Sequence, residues 1–154
     1  ANRPGGKVTN DDQAQMMCRF ESGAQGHLFF SRVATGRKMG YAYEIHGTKG
    51  SIKFDQEDQN ALHLYTIDSV EKERGFKKIL TGPAHPDYKA FCQGPGHGTG
   101  YQDQIIIEAN DFLRAIHEGR NIWPTFSEGM EVNRVVSAAL DSSEKNIWVK
   151  IADY

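Results

Sequence analysis

Apolar and polar side chains alternate along the first half of the chain. Between residues 13 and 20 the apolar side of the alternation consists of Ala14, Met16, Cys18 and Phe20. A period of two residues is typical of strands whose two faces meet different surroundings. Similar segments follow at residues 24–35, 39–45, 51–55, 62–67 and 76–80. Tight glycine turns such as Gly47-Thr48-Lys49-Gly50 join them, so the pattern predicts an antiparallel meander instead of βαβ units.

The second half of the chain changes to the spacing of helices. Residues 82–100 have no regular period and contain five glycines and three prolines, which predicts a long loop; such loops are usually functional or disordered. Beyond it, apolar side chains at helical spacing predict helices over residues 102–118 and 127–144. A last strand is predicted over residues 147–151. A meander followed by a loop, two helices and a strand indicates an α+β domain.

Composition narrows the class of protein. A length of 154 residues is an ordinary single domain, long enough to bury a core without a metal or disulfide. Eighteen Lys and Arg against 20 Asp and Glu give a net charge of −2, so no cationic excess favours nucleic acid as a partner. Cys18 and Cys92 form no metal or disulfide motif and suit a reducing compartment. No apolar run approaches the length of a membrane span, and we expect a cytoplasmic protein.

The N-terminal residues bear on how complete the chain is. They have no initiator Met and no apolar signal-peptide core, and Ala1-Asn2-Arg3-Pro4 reads like the interior of a loop. We therefore expect residues 1–154 to form a single domain that is a fragment of a longer chain.

The segment Gly94-Pro95-Gly96-His97-Gly98-Thr99-Gly100 is the strongest chemical feature. It does not fit the dinucleotide pattern G-x-G-x-x-G, because Thr99 and Tyr101 stand where glycines are needed. Two interpretations remain open. The segment is either a flexible connector between sheet and helix, or a loop whose backbone approaches a small ligand, with His97 and Tyr101 supplying directional hydrogen bonds.

Other candidate sites are weaker. His85, Asp87, His97 and Asp103 lie close in sequence, but no pair has the spacing of a helical metal site, so no metal is predicted. No Ser/His/Asp nucleophile motif is present either. Arg32 and Arg37 flank the connection Thr35-Gly36. They are either ordinary surface charges or the lining of a pocket for an anionic or polyhydroxyl ligand.

Several motifs in this order resemble one family. The strand half carries FESGAQG at residues 20–26, SRVATGR at 31–37 and EIHGTKGSI at 44–52. The helical half carries GHGTGYQD at 96–103, EANDFL at 108–113, PTFSEG at 124–129 and NIWV at 146–149. From about Val8 to Ile151 the chain is similar to the C-terminal domain of the Gfo/Idh/MocA oxidoreductases, the group of glucose–fructose oxidoreductase and inositol dehydrogenase.

The resemblance implies a fold and a function. The fold is an open, mainly antiparallel sheet with helices on one face, like the C-terminal domain of dihydrodipicolinate reductase, and normally follows a Rossmann domain that is absent here. Such enzymes transfer a hydride between NAD or NADP and a sugar, inositol or related polyol. The family's E-K-P and D-x-G-x-H catalytic motifs are missing from this chain. We therefore expect no catalytic and no cofactor-binding residue in it, and no activity of the fragment alone.

What the resemblance carries over is a set of substrate contacts. His97 and Tyr101 match the loop that approaches the substrate, Arg37 lies on a strand connection that also faces it, and Arg32 is a further candidate. The competing hypothesis is a stand-alone, non-enzymatic binding or assembly module.

Self-association is a further expectation. Two helices cover only one face of a sheet, and Phe29 and Phe30 lie on opposite faces of one predicted strand. A large bare apolar face is rare on a soluble monomer, so we expect a dimer or tetramer built on the sheet. Members of the family usually assemble in this way.

Overall fold

The computed structural model describes Gly5 and residues 9–154. Val8, the first residue of the family-like stretch, lies outside these residues. The described residues form six strands: β1 (Gln13–Arg19), β2 (Gln25–Ser31), β3 (Ala42–His46), β4 (Gly50–Asp55), β5 (Ala61–Thr66) and β6 (Lys77–Leu80). Two helices follow, α1 (Tyr101–Glu118) and α2 (Phe126–Lys145). Short 3₁₀ segments lie at Gln56–Asp58, Glu71–Glu73, Pro86–Tyr88 and Ile151–Asp153. This order confirms the predicted α+β class.

The chain folds into two compact units. The first contains the described residues up to Arg37 together with Phe126–Tyr154, and so holds β1, β2 and α2. The second, Lys38–Thr125, holds the other four strands and α1. All strand pairs are antiparallel, as the glycine turns predict. The strands are divided between a sheet of two strands and a sheet of four.

The sheet of the first unit confirms the predicted sidedness of β1 and β2. Met16 lies opposite Leu28 and Ala14 opposite Phe30, so these four side chains share one face. Phe29 pairs with Gln15 on the other face. The connection after β2 contains a turn, in which the Arg37 N–H donates to the Ala34 carbonyl at 3.2 Å. The backbone there is satisfied locally and does not continue into β3.

The sheet of the second unit has the order β3-β4-β5-β6 and two chemically different faces. Cross-strand pairs such as Tyr43 with Phe54 and Ile52 with Leu64 build the apolar face. Pairs such as Glu44 with Lys53 build the polar one. The ring of Tyr43 lies 5.4 Å from that of Phe54, centroid to centroid, within the range of favourable aromatic pairs.

The two helices lie within one residue of their predicted ends, but the prediction of a last strand over residues 147–151 is wrong. No strand is present between residue 146 and the 3₁₀ segment Ile151–Asp153. Asn146 takes a left-handed conformation at φ 53° after α2, and the Ile147 N–H donates back to the Ser142 carbonyl at 3.3 Å. The Ser142 hydroxyl donates to the Ile147 carbonyl at 2.6 Å. These helix-end bonds use the groups that a strand would offer to a neighbour.

Among the residues that the structure describes, no helix combines the length and the apolarity that a membrane crossing requires.

Candidate functional site

The glycine-rich segment of the second unit forms an ordered turn. The His97 N–H donates to the Gly94 carbonyl at 3.1 Å and closes a four-residue turn. Pro95 and Gly96 are its central residues, and Gly96 has φ +83°. A type II turn favours Pro at the first central position and requires positive φ at the second. Pro95 and Gly96 therefore specify a turn that ends on His97.

Helix α1 begins directly after this segment, with Tyr101 as its first residue. The Gly100 N–H donates to Asp103 Oδ2 at 2.7 Å, so the Asp103 carboxylate satisfies a backbone donor at the helix start and complements the helix dipole. Asp103 acts here as a helix cap. The hydrogen bond fixes the backbone on the N-terminal side of Tyr101.

Thr99, between His97 and Tyr101, is held by Asn60. Its N–H donates to Asn60 Oδ1 at 2.7 Å, and its carbonyl accepts from Asn60 Nδ2 at 2.9 Å. Thr99 is only 4% exposed. One amide side chain thus satisfies both backbone groups of a buried loop residue, as a buried peptide unit requires.

Three glutamines support this contact. Gln59 Nε2 donates to the Thr99 carbonyl at 2.8 Å, and Gln104 Nε2 donates to Gln59 Oε1 at 3.3 Å. Gln56 Nε2 lies 3.3 Å from Gln59 Oε1 and 3.4 Å from Gln104 Oε1. Gln56 and Gln59 belong to the link between β4 and β5, and Gln104 to α1. The loop, this link and the first turn of the helix are therefore joined by one neutral hydrogen-bond network.

The side chains that this network leaves accessible are the predicted substrate contacts. His97 is exposed, and Tyr101 is 49% exposed. Within the described part of the chain, neither side chain donates or accepts a hydrogen bond. An imidazole and a phenol in this position have their full hydrogen-bonding capacity available for a ligand.

The two predicted arginines belong to the other unit. Arg32 follows β2, and its N–H donates to the Asp12 carbonyl at 2.8 Å. Arg37 ends the turn that begins at Ala34. Both residues are exposed. The structure thus places Arg32 and Arg37 on one connection in the first unit, and His97 and Tyr101 on one loop and helix start in the second.

The other histidine of the loop has a local role. His85 Nδ1 lies 3.2 Å from the Gly82 nitrogen, which donates to it, and the His85 ring lies against Tyr88 in an edge-on arrangement. In the part of the chain that the structure describes, no three His, Cys, Asp or Glu side chains are grouped so as to hold a metal ion.

A separate recess of about 620 Å³ lies in the first unit, between the end of α2 and the C-terminal residues. Asp141 Oδ2 accepts from Lys145 Nζ at 2.5 Å and from the Tyr154 hydroxyl at 2.7 Å. The hydrogen bond from Lys145, followed by that from Tyr154, lowers the pKa of Asp141. The same carboxylate raises the pKa of Lys145 and of Tyr154. Asp141, Lys145 and Tyr154 thus use their polar groups on one another. The recess is therefore a weaker candidate for a ligand site than the loop.

Asn60 and Gln59 are the residues that sequence analysis missed. They lie between two strands, where a polar pair is unremarkable. Gly98 was the one signal in the sequence, since a glycine is used either for positive φ or for the close approach of another group. The structure shows the second case, because the φ of Gly98 is not positive. A Cβ built on Gly98 would lie 2.5–2.7 Å from the atoms of the Asn60 amide.

Comparison with known proteins identifies the family. Residues 1–151 match the family model for the Gfo/Idh/MocA C-terminal domain, described as "Oxidoreductase family, C-terminal alpha/beta domain". The chain belongs to this family. It is 39% identical over 148 residues to levoglucosan dehydrogenase of Pseudarthrobacter phenanthrenivorans, an alignment that covers 96% of this chain and 38% of the relative.

Solved structures of the family share the fold. Levoglucosan dehydrogenase in complex with NADH and levoglucosan superposes with a TM-score of 0.91 at 39% identity, over 95% of this chain and 40% of that one. An oxidoreductase domain protein from Kribbella flavida gives a TM-score of 0.89 at 41% identity, over 95% of this chain and 38% of that one. The chain thus spans about two fifths of the relatives that it matches.

Proposed function

We propose that this chain is the substrate-binding and oligomerisation domain of an NAD(P)-dependent dehydrogenase that acts on a sugar, inositol or related polyol. The observation that carries the proposal is the ordered loop that presents His97 and Tyr101 with unused hydrogen-bonding capacity. The bound NADH and levoglucosan of one relative support the classes of cofactor and substrate.

The chemistry of the loop suits a polyhydroxylated ligand. Each hydroxyl of a sugar both donates and accepts, and an imidazole or a phenol can match either role. A site built from such groups rejects analogues that lack a hydroxyl, because its own polar atoms would be left without partners. We include Arg37 and Arg32 as further substrate contacts, since each supplies several fixed donors.

The nicotinamide cofactor belongs to a part of the enzyme outside this chain. The chain has no G-x-G-x-x-G fingerprint and none of the family's catalytic motifs. Hydride transfer requires the cofactor to be held against the substrate with an acid–base group within hydrogen-bond reach. In this proposal the chain binds and orients the sugar, and residues in another part of the enzyme carry out hydride transfer. The enzyme is proposed to act in the cytoplasm.

The experiment that tests this proposal uses the full-length protein and a panel of sugars and polyols with NAD and NADP. His97→Ala and Tyr101→Phe should each lower kcat/KM for the best substrate by about 1–3 kcal/mol of transition-state stabilisation. Their affinity for the cofactor should stay unchanged. His117→Ala, an exposed residue near the end of α1, is the matched control and should behave like the wild type.

Two results would contradict the proposal. If the full-length protein reduces neither NAD nor NADP with any member of the panel but still binds a sugar in calorimetry, the non-enzymatic binding module is the better description. If it is active and both variants keep the wild-type kcat/KM, the loop is not the substrate site.

Self-association is the second part of the proposal. Exposed apolar side chains are found on the sheets of both units, among them Phe29, Phe30 and Ile45. Pairing two copies about a two-fold axis would cover such surfaces with a single self-complementary interface. Light scattering at tens of micromolar should report a dimer or tetramer, and a monomer mass there would contradict this part.

A further inference from the structure

The Asn60 side chain makes an unusual number of contacts for one amide. Its Oδ1 accepts from the Thr99 N–H at 2.7 Å, from the Thr81 hydroxyl at 2.8 Å and from the Thr99 hydroxyl at 3.3 Å. Its Nδ2 donates to the Thr99 carbonyl at 2.9 Å. Among side chains of this size, only those of Asn and of protonated Asp offer both an acceptor and a donor in one rigid plane. We call these three residues the Asn60 clamp.

Gly98 is the second observation. Its φ lies outside the left-handed region, so an alanine would meet no backbone strain there. The three atoms nearest to the new Cβ all belong to the Asn60 amide: its Cγ, Nδ2 and Oδ1 would lie 2.5, 2.6 and 2.7 Å away. The loop backbone therefore rests directly against the clamp, and the missing side chain of Gly98 is what allows this contact.

The clamp is linked to the candidate site by short lengths of chain. Thr99 lies two residues after His97 and two residues before Tyr101. The turn closed by the His97 N–H constrains the first side, and the Gly100–Asp103 bond constrains the second. With both backbone groups of Thr99 held, little freedom remains in the backbone that carries the two side chains.

We propose that Asn60 is a positioning residue for substrate: by holding the backbone of Thr99 it sets the placement of His97 and Tyr101 on the sugar. The inference rests on the proposed function of the loop. Asn60 itself touches no substrate in this proposal. A displacement of about 1 Å of a binding group is enough to lower a rate by about 100-fold, so loss of the clamp is expected to affect turnover.

The first test is kinetic and uses the full-length protein. Asn60→Ala should lower kcat/KM for the best sugar by about 10–100-fold while the KM for the nicotinamide cofactor stays unchanged. In the Asn60→Ala background, His97→Ala should cost much less than it costs alone, because the imidazole is already misplaced. A residue that merely stabilises the fold would give independent, multiplicative effects instead.

The second test is steric and needs no substrate. Gly98→Ala should lower Tm in the wild-type background, and most of this loss should disappear in Asn60→Ala, where the obstructing amide is gone. Gly94→Ala is the matched control: it lies in the same loop, its φ is not positive, and nothing lies within 4 Å of the added Cβ. It should leave Tm close to that of the wild type.

The outcomes separate this inference from the proposed function. Normal kcat/KM in a folded Asn60→Ala protein, together with an impaired His97→Ala protein, would overturn the inference and leave the proposed function standing. A wild type that oxidises no sugar would overturn the proposed function. In that case the Tm values decide about the clamp alone. If the Tm losses of Gly98→Ala and Asn60→Ala simply add, Asn60 does not hold the loop; if Gly98→Ala costs little in the Asn60→Ala protein, it does.

Discussion

Two polar clusters tie down chain segments in this protein, and they are built from different chemistry. The Asn60 clamp is part-buried and consists of an amide, hydroxyls and backbone groups without charge. The cluster of Asp141, Lys145 and Tyr154, which we call the Asp141 cluster, is exposed and centred on an ion pair. The first holds a loop that carries candidate binding residues, and the second holds the C-terminal residues against the end of α2.

The two clusters differ in how strongly they fix the conformation of the segment that they hold. If the Asn60 amide is lost, the polar groups of buried Thr99 have neither a partner nor water, so the geometry of the clamp is enforced by a large penalty. An exposed ion pair can exchange its partner for water and salt at little cost. We infer that the clamp defines a conformation, whereas the Asp141 cluster only biases one. Three changes test this contrast.

The largest effect is expected when the clamp is removed. Asn60→Ala leaves the buried Thr99 N–H without its acceptor, so the free energy of the opening that allows exchange of this amide should fall by about 1–3 kcal/mol. Hydrogen exchange at Thr99 should accelerate equally at low salt and at about 1 M salt, since no charge is involved. Asn110→Ala, on the exposed surface of α1, is the control. Unchanged exchange at Thr99 would show that the clamp holds nothing.

A smaller effect is expected at the edge of the clamp. Thr81→Val keeps the shape of the side chain and removes one donor to Asn60 Oδ1, which retains the Thr99 N–H. The free energy of unfolding in urea should fall by about 0.5–1.5 kcal/mol. The same change made in Asn60→Ala should cost nothing further, because the acceptor is gone. Equal losses in both backgrounds would mean that the Thr81 hydroxyl acts elsewhere.

The smallest effect is expected at the Asp141 cluster. Asp141→Asn should lower stability only slightly, and high salt should abolish the difference from the wild type. Trp148 lines the same recess, and in a Trp123→Phe background it is the sole tryptophan. Its fluorescence therefore reports whether the C-terminal residues stay in place. A large loss of stability that persists in high salt would reverse the contrast.

The pH dependence of this cluster follows from the directions of its pKa shifts. The lowered pKa of Asp141 means that its contribution is present above the ordinary value of 3.8 and is lost as the pH falls through the lowered value. The raised pKa values of Lys145 and Tyr154 mean that their contributions are fully present below the ordinary values of 10.5 and 10.0. These contributions are lost as the pH rises through the raised values. The difference between wild type and Asp141→Asn should therefore be flat between these limits.

Local pattern determined most of the secondary structure. Alternation assigned Ala14 and Met16 to one face of β1, because side-chain period and backbone geometry are linked within a few residues. The register confirms this and places Leu28 and Phe30 opposite them. The helices were predicted to within one residue for the same reason. The motifs from residue 20 to 149 were also enough to predict the family that the comparisons confirm. The roles of His97, Tyr101, Arg32 and Arg37 remain predictions.

What only the tertiary structure decided depends on contacts between residues far apart in sequence. Residues 147–151 have a strand-like pattern, yet the N–H and carbonyl of Ile147 form hydrogen bonds with Ser142 at the end of α2. The pattern alone does not reveal whether a strand has a neighbour to pair with. The Asn60–Thr99 contact joins residues 39 positions apart. Neither residue is distinctive in its own segment. A hydrogen bond between them requires a particular distance and direction, and these exist only once the start of β5 and the loop are brought together.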